Sequence, residues 1–413
     1  MKIKLSVLLL SSMIFACLCT VLIDHLVISF WADSIAIPRA TRMIYETPEF
    51  HYTVDTNSLG FRDREFSIEA DPSVIRIAVL GDSFTYGWGV DEKESWPRIL
   101  EDMLNQKGYP VVVLNLAKPG YFPFMYASYA KHYLPLIKPD IVLIGLLQGD
   151  DLFQMDYGDC GELKQDVAPD TGQTPETVRL DNTSQNFRKN PIIAYLKSSI
   201  SMLYPNIMRM RSYKSRTQSE HLSTIWKRMA KDALRKFTPE QANRFTQLDK
   251  KIRTMFLRGE LNPTLVQMAM INPEFLKELS SLDSARTNGL INRMSECLLV
   301  IKESGLRCGV RSTVAVSIPY GIYTCAKSYQ NRLLLGLKLL PTMLSNNNAD
   351  TAINLACKKA DIPFISITED FRRIAEKHNL FYQYDGHFNA QGHEAYAKLI
   401  APAVMDILVQ DAL

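Results

Sequence analysis

Two short segments of this 413-residue chain hold residues whose types and spacing could do chemistry together. The first, Ile-Arg-Ile-Ala-Val-Leu-Gly-Asp-Ser, is an apolar run of strand type that stops at Gly81-Asp82-Ser83. A buried parallel strand that ends in this way delivers a side chain to the carboxyl edge of a sheet, where open α/β folds bind ligands. Gly81 lets the backbone turn sharply, and a helix beginning at Ser83 would aim unpaired amides at a developing negative charge. A serine hydroxyl is a weak nucleophile near neutral pH and needs a base within reach, itself oriented by a third group. Of seven histidines, His25, His51, His132, His221 and His378 lie in settings without a catalytic signature. His387 lies in Tyr-Asp-Gly-His-Phe-Asn-Ala-Gln-Gly-His, where Asp385 stands two residues ahead of it and Asn389 can cap a following helix. His393, in the same segment, falls on the first turn of that helix and is set aside as the base.

Gly-Asp-Ser at the end of a first strand and Asp-Gly-His before a last helix resemble the nucleophile block and the final block of the SGNH, or GDSL, hydrolases. The resemblance implies Ser83 as nucleophile, His387 as base and Asp385 as the group that orients the imidazole. It also implies an oxyanion hole built from the amide of Ser83, from Gly120 in Asn-Leu-Ala-Lys-Pro-Gly, and from position 150. There the chain reads Gln148-Gly149-Asp150-Asp151, where the family has Gly-x-Asn-Asp or Gly-Asn-Asp. An ionised carboxylate has no proton to donate, and losing one oxyanion donor costs about 3 kcal/mol. Asp150 can be held protonated by an apolar site, can turn away and leave the amides of Ser83 and Gly120 to work alone, or can mark an impaired site. The second is the expectation. The spacing Asp-x-His also departs from the more frequent Asp-x-x-His, which changes the geometry by which Asp385 reaches the ring.

The elements that must position these residues follow from hydrophobic runs. Strand-like runs at 74–80, 111–116, 141–146, 313–318 and 364–367, joined by helical connections, predict an α/β fold with a doubly wound, mainly parallel five-stranded sheet in a three-layer sandwich. The hydrolase domain is expected over 73–155 and 305–413. Between them, 156–304 is an insertion that opens with a polar, turn-rich stretch to 190 and becomes helical, a candidate lid because it follows the block holding Asp150. Residues 201–260 carry fourteen Lys and Arg against five Asp and Glu, whereas the whole chain is only +3. Such a basic surface suits an anionic glycan or lipid head groups, or is simply a solvated helical face.

The compartment is read from the other end of the chain. Lys2 and Lys4 precede an apolar segment at 5–23, so 1–32 is expected to be an uncleaved membrane-anchoring helix, with a cleaved signal as the rival, and the catalytic domain outside the cytoplasm. Residues 33–72 form a linker or N-terminal extension, in which Arg62 and Asp63 are expected to hold the segment onto the domain as a structural pair. Outside the anchor, Cys160, Cys297, Cys308, Cys325 and Cys357 allow one or two disulfides with a thiol left over. No Cys and His spacing suggests a metal, no cofactor is expected, and no nucleic-acid motif accompanies the basic residues. The function expected is hydrolysis of an O-acyl, such as acetyl, ester of an extracytoplasmic glycan or lipid. The alternatives are an O-acyltransferase acting on an exported polysaccharide and an impaired, membrane-tethered binding protein.

Overall fold

The computed structural model describes residues 19–21, 42–65, 67, 71–157, 221–278, 282 and 284–410. The chain divides into two compact units, and the larger comprises Arg42–Asp55, Phe61–Asp170 and Glu220–Leu413. Almost all of the smaller unit falls outside the described residues, as does the expected anchor apart from Cys19–Val21. Among the described residues no helix is long and apolar enough to cross a membrane.

The larger unit begins with an antiparallel hairpin, β1 (Arg42–Glu46) and β2 (His51–Asp55), inside what the sequence predicts as a linker. The sheet that follows is built from β3 (Ile75–Leu80), β4 (Val111–Asn115), β5 (Ile141–Leu147), β6 (Ser312–Ile318) and β7 (Phe364–Ile365). All its pairings are parallel, in the order β4-β3-β5-β6-β7. The five predicted runs are these five strands, with the last shortened to two residues. All seven residues of β5 are buried, which is why this strand reads as one unbroken apolar run and shows no alternation. Strand order reverses after β3, so the crevice of a doubly wound sheet opens where β3 and β5 end, next to Gly81-Asp82-Ser83.

Helices cover both faces. Short α1 (Ser83–Tyr86) follows β3, and α2 (Trp96–Gln106) leads into β4, burying Trp96, Leu100 and Leu104 along one stripe. After β4 come α3 (Pro123–Ile137) and, beyond β5, α4 (Asp150–Gln154). The insertion contributes α5 (Leu222–Lys236), α6 (Pro239–Gln247), α7 (Lys250–Arg258) and α8 (Pro263–Ile271). Next is α9 (Ala285–Arg307), the connection into β6. The chain ends with α10 (Gly321–Thr324), α11 (Ala326–Leu334), α12 (Asn348–Lys359), α13 (Thr368–Ala375) and α14 (Ala390–Gln410). Helix α9 packs on α3 and α12, while α2 packs on α14, which gives the two outer layers. The predicted boundary of the insertion at residue 304 is therefore misplaced: α9 is a crossover helix of the sandwich itself, because parallel strands β5 and β6 need one between them. Of the turn-rich stretch expected at 156–190, all but residues 156 and 157 lies outside the described residues.

Arg62 and Asp63 hold their segment in place, but not by pairing with each other. The buried Arg62 guanidinium donates to Tyr86 O (3.1 Å), Gly87 O (2.7 Å) and Thr53 O (3.3 Å), tying the hairpin to the turn after the serine. Asp63 accepts from the amide of Asn115 (2.9 Å) at the end of β4 and pairs with Arg98 (3.0 Å) on α2. Arg98 also meets Glu101 (2.7 Å), which takes a bidentate grip from Arg64. Of the described cysteines, Cys19, Cys308, Cys325 and Cys357 are free and Cys297 is disulfide-bonded.

Two glycines let the nucleophile turn sit deep against the sheet. A Cβ on Gly81 would lie 2.2 Å from Thr85 Oγ1, and one on Gly145 would lie 2.6 Å from the same atom and 2.8 Å from Ile318 Cδ1. Thr85 of α1 thus fills the space that side chains on β3 and β5 would otherwise occupy. Gly145→Ala is expected to lower the unfolding free energy in urea by about 1–3 kcal/mol, as overpacking of a dense core does. Adding Thr85→Ala should recover part of that loss, and strictly additive effects would show that the two positions do not share this space.

Candidate functional site

The nucleophile turn is built locally. Asp82 is the N-cap of α1, and its side chain accepts from the amide of Phe84 (2.9 Å). Gly87 closes the helix in a left-handed conformation (φ 84°), which an unbranched backbone adopts without strain. Between these caps Ser83 sits at the first helical position, half-buried at the carboxyl edge of the sheet.

The other half of the site comes from a turn 304 residues further along. Phe381 and Phe388 form an isolated antiparallel bridge, and inside it Tyr382 N donates to His387 O (2.9 Å) and Gly386 N to Tyr382 O (3.2 Å). Gly386 takes φ 79°, and a Cβ there would lie 1.7 Å from Arg332 Nη2, so no other residue fits this turn without moving that guanidinium. Beyond it the Asn389 side chain accepts from Gly392 N (3.0 Å) at the start of α14.

The two halves meet. Ser83 Oγ lies 2.7 Å from His387 Nε2, and His387 Nδ1 makes a short hydrogen bond to Asp385 Oδ1. With a carboxylate accepting from Nδ1–H, Nε2 is left as the acceptor for the serine hydroxyl. The imidazole is packed by Phe84 (centroids 4.6 Å apart) and Trp88 (5.9 Å), which restrict the ring. Burial pushes the Asp385 carboxyl up, but the charge and hydrogen bond of His387 and the charge of Arg332 outweigh it and hold it below the ordinary carboxylate range. Asp385 Oδ2 is buried and has no hydrogen-bond partner.

The surrounding acids behave differently. Burial pushes Asp82 up to about 7, against the opposing charge of His387 and with the charge of Asp150 reinforcing it. Asp151 is raised well above its usual value by burial and by Asp82, and accepts from Leu147 N (2.9 Å) and the Tyr126 hydroxyl (3.1 Å). Gly120 lies in the connection after β4 with φ 74°, and Asp150 opens α4 after β5, both at the carboxyl edge of the sheet. The Asp150 carboxylate accepts a hydrogen bond from Gln154, one turn along its own helix. Among the described residues no group of three or more His, Cys, Asp or Glu could hold a metal ion.

His393 lies in the core of α14, fully buried, where burial depresses it to about 3, and its Nδ1 accepts from Trp96 N (3.3 Å). Of the five histidines without a catalytic signature, His51, His132, His221 and His378 take no part in the Ser83–His387–Asp385 chain of bonds, and His25 lies outside the described residues. Three participants have no signal in the sequence: Arg332 of α11, Glu49 of the hairpin connection and Trp88 beside the ring. Asp82 was visible only as the middle letter of Gly-Asp-Ser, though its capping role follows from its place before a helix.

No family model matches the chain, and no curated protein does. Matches to solved structures include the psychrotrophic esterase EstA from Pseudoalteromonas sp., at 11% identity and a TM-score of 0.36, covering 81% of this chain and 98% of that one. TesA matches at 11% identity and a TM-score of 0.34 over 79% and 96% of the two chains. The acetyl xylan esterase AlAXEase matches at 10% identity and a TM-score of 0.34 over 80% and 100%.

Proposed function

We propose that this chain is a serine ester hydrolase of the SGNH type. The observation that carries the reading is the relay itself: Ser83 Oγ at 2.7 Å from His387 Nε2, with Nδ1 of the same ring bonded to Asp385. In the reaction, Ser83 Oγ attacks the ester carbonyl carbon while Nε2 takes its proton. The tetrahedral oxyanion is stabilised by the amides of Ser83 and Gly120, and Asp150 keeps to Gln154. Collapse breaks the bond to the alkoxy group, which leaves with the proton from Nε2 and gives an acyl-serine. Water then enters, loses a proton to the same nitrogen and releases the acid, and Ser83 recovers its proton. Asp385 stays ionised throughout, and its low proton affinity suits the imidazolium that forms twice per cycle.

The substrate in this proposal is an O-acyl ester, such as an acetyl ester, on a glycan or lipid outside the cytoplasm. Support for that part is compositional: the apolar segment at 5–23 as a tether, and exposed cations on α5 and α7, among them Lys227, Lys231, Lys250 and Lys251. In the same proposal the inserted helices α5 to α8 form an extension over the site. Phe50 of the hairpin packs on Trp226 of α5 (6.5 Å), and Lys251 of α7 lies over the Tyr384 ring (5.4 Å) beside Asp385.

Purified protein should hydrolyse p-nitrophenyl acetate and take a fluorophosphonate label, and Ser83→Ala should abolish the label and lower kcat by about a thousandfold or more. Labelling that survives in Ser83→Ala would remove the nucleophile from the scheme. Asp150→Asn should leave the ester rate unchanged or raise it up to about tenfold, since a carboxamide can donate to the oxyanion and a carboxylate cannot. A clear fall would give the carboxylate a positive role.

Asp82 supplies a pH test. Burial raises it to about 7 from the ordinary carboxylate value of 3.8, so between these two pH values the folded chain holds a proton that the unfolded chain has lost. Its contribution to stability therefore falls as pH rises through that window and is constant above it. Asp82→Asn keeps a capping acceptor and should flatten that part of the urea-midpoint profile. An unchanged slope would mean that Asp82 is already ionised at low pH.

A further inference from the structure

The hairpin that precedes the sheet reaches the catalytic turn through one side chain. Glu49, in the connection between β1 and β2, accepts from Tyr384 N (2.9 and 3.1 Å) and from Asp385 N (2.8 Å). Across the turn, Arg332 of α11 donates to Tyr384 O (2.8 Å) and Asp385 O (2.7 Å). The peptide unit joining Tyr384 to Asp385 is therefore held at both poles, its carbonyl by a cation and its amide by an anion, which is the favourable sense for each dipole. Fixing that plane fixes the direction of the Asp385 Cα–Cβ bond.

Asp385 needs such help more than a fully bonded carboxylate would. One of its oxygens meets His387 and the other is buried with no partner, so side-chain hydrogen bonds do not by themselves lock its orientation. The hairpin that carries Glu49 is itself well anchored. Its turn is closed by Thr47 N on Phe50 O (2.9 Å), with Thr47 Oγ1 accepting from Glu49 N (3.2 Å). Phe50 packs on Tyr382 (5.2 Å) and Trp88 (6.2 Å), and Thr53 N donates to Asp91 (3.1 Å).

We infer that Glu49 is a positioning residue for the ester-hydrolysing site: by clamping the Tyr384 and Asp385 amides it holds Asp385 where it can orient His387. The inference rests on the proposed roles of Ser83, His387 and Asp385. It makes the hairpin a working part of the site, so the segment linking the N-terminus to the sheet completes the catalytic geometry.

The test uses the full chain with Glu49→Ala and Glu49→Gln. In Glu49→Ala, kcat for p-nitrophenyl acetate should fall about 10- to 100-fold with KM within about twofold, because a small misplacement of a catalytic group costs on that order. Glu49→Gln should recover most of the loss, since its carboxamide oxygen still accepts from an amide. Hydrogen exchange at the amides of 384 and 385 should quicken in Glu49→Ala while the β3 amides keep their protection. A kcat within twofold of wild type in Glu49→Ala, a loss carried by KM, or unchanged protection at 384 and 385 would each overturn the inference. A wild-type chain that neither turns over the ester nor takes the fluorophosphonate would defeat the esterase reading instead, and the exchange arm still decides whether Glu49 clamps the turn.

Discussion

The hydrogen bond between Ser83 and His387 joins a turn at the end of the first sheet strand to a turn just before the last helix. Nothing local brings these residues together. They meet because β3 lies inside the sheet, because β7 closes its far edge, and because α14 returns to pack on α2. The bond is meaningful only if each turn is rigid, and each is made so by a glycine that no other residue replaces without a clash. At Gly81 the obstacle is Thr85, and at Gly386 it is the Arg332 guanidinium. Two steric facts, one on each side, thus set a distance across the 304 residues that separate Ser83 from His387.

Charge is distributed around that bond in a consistent sense. Asp385, on the Nδ1 side of the ring, is kept anionic by His387 and Arg332 in spite of its burial. On the serine side, Asp82 is pushed toward its neutral form by burial and by the charge of Asp150, and Asp151 by burial and by Asp82. In the proposed reaction the proton that Ser83 gives up is drawn toward Asp385, where the imidazolium is stabilised. In the same scheme the burial of Asp82 and Asp151 lessens the negative charge beside the oxyanion.

How much of this was legible in the sequence depends on whether a residue's role is local. The five strands could be read because buried parallel strands are continuous apolar runs, and Ser83, Asp385 and His387 because each lies in a compact turn signature. The hairpin at 42–55 escaped because half its residues face solvent and its stabilising partners, Trp88 and Trp226, are far away in sequence. Helix α9 was assigned to the insertion because its amphipathic pattern does not reveal whether it packs on other inserted helices or on the sheet layer. Arg62 and Asp63 were rightly read as structural, yet their partners were not: adjacent opposite charges suggest a pair, whereas Arg62 reaches the carbonyls of Tyr86 and Gly87 and Asp63 reaches Arg98 and the Asn115 amide. Arg332 and Glu49 could not have been found, since a backbone carbonyl or amide has no letter in the sequence.

That last point explains why catalytic turns are easier to recognise than to position. The residues that react are constrained in type by chemistry, so they leave a signature; the residues that hold the turn need only present a charge to a peptide group, and many positions can do that. In this chain the task falls to one residue before the sheet and one between β6 and β7, Glu49 and Arg332, acting on the same peptide unit with opposite charges. Because the anion comes from the hairpin, the geometry of Asp385 is coupled to how that hairpin packs against Tyr382 and Trp88, the second of which also borders the imidazole. Packing of an apolar cluster and orientation of the Asp385 carboxylate are then one property of the fold, and a change that loosens the first must loosen the second.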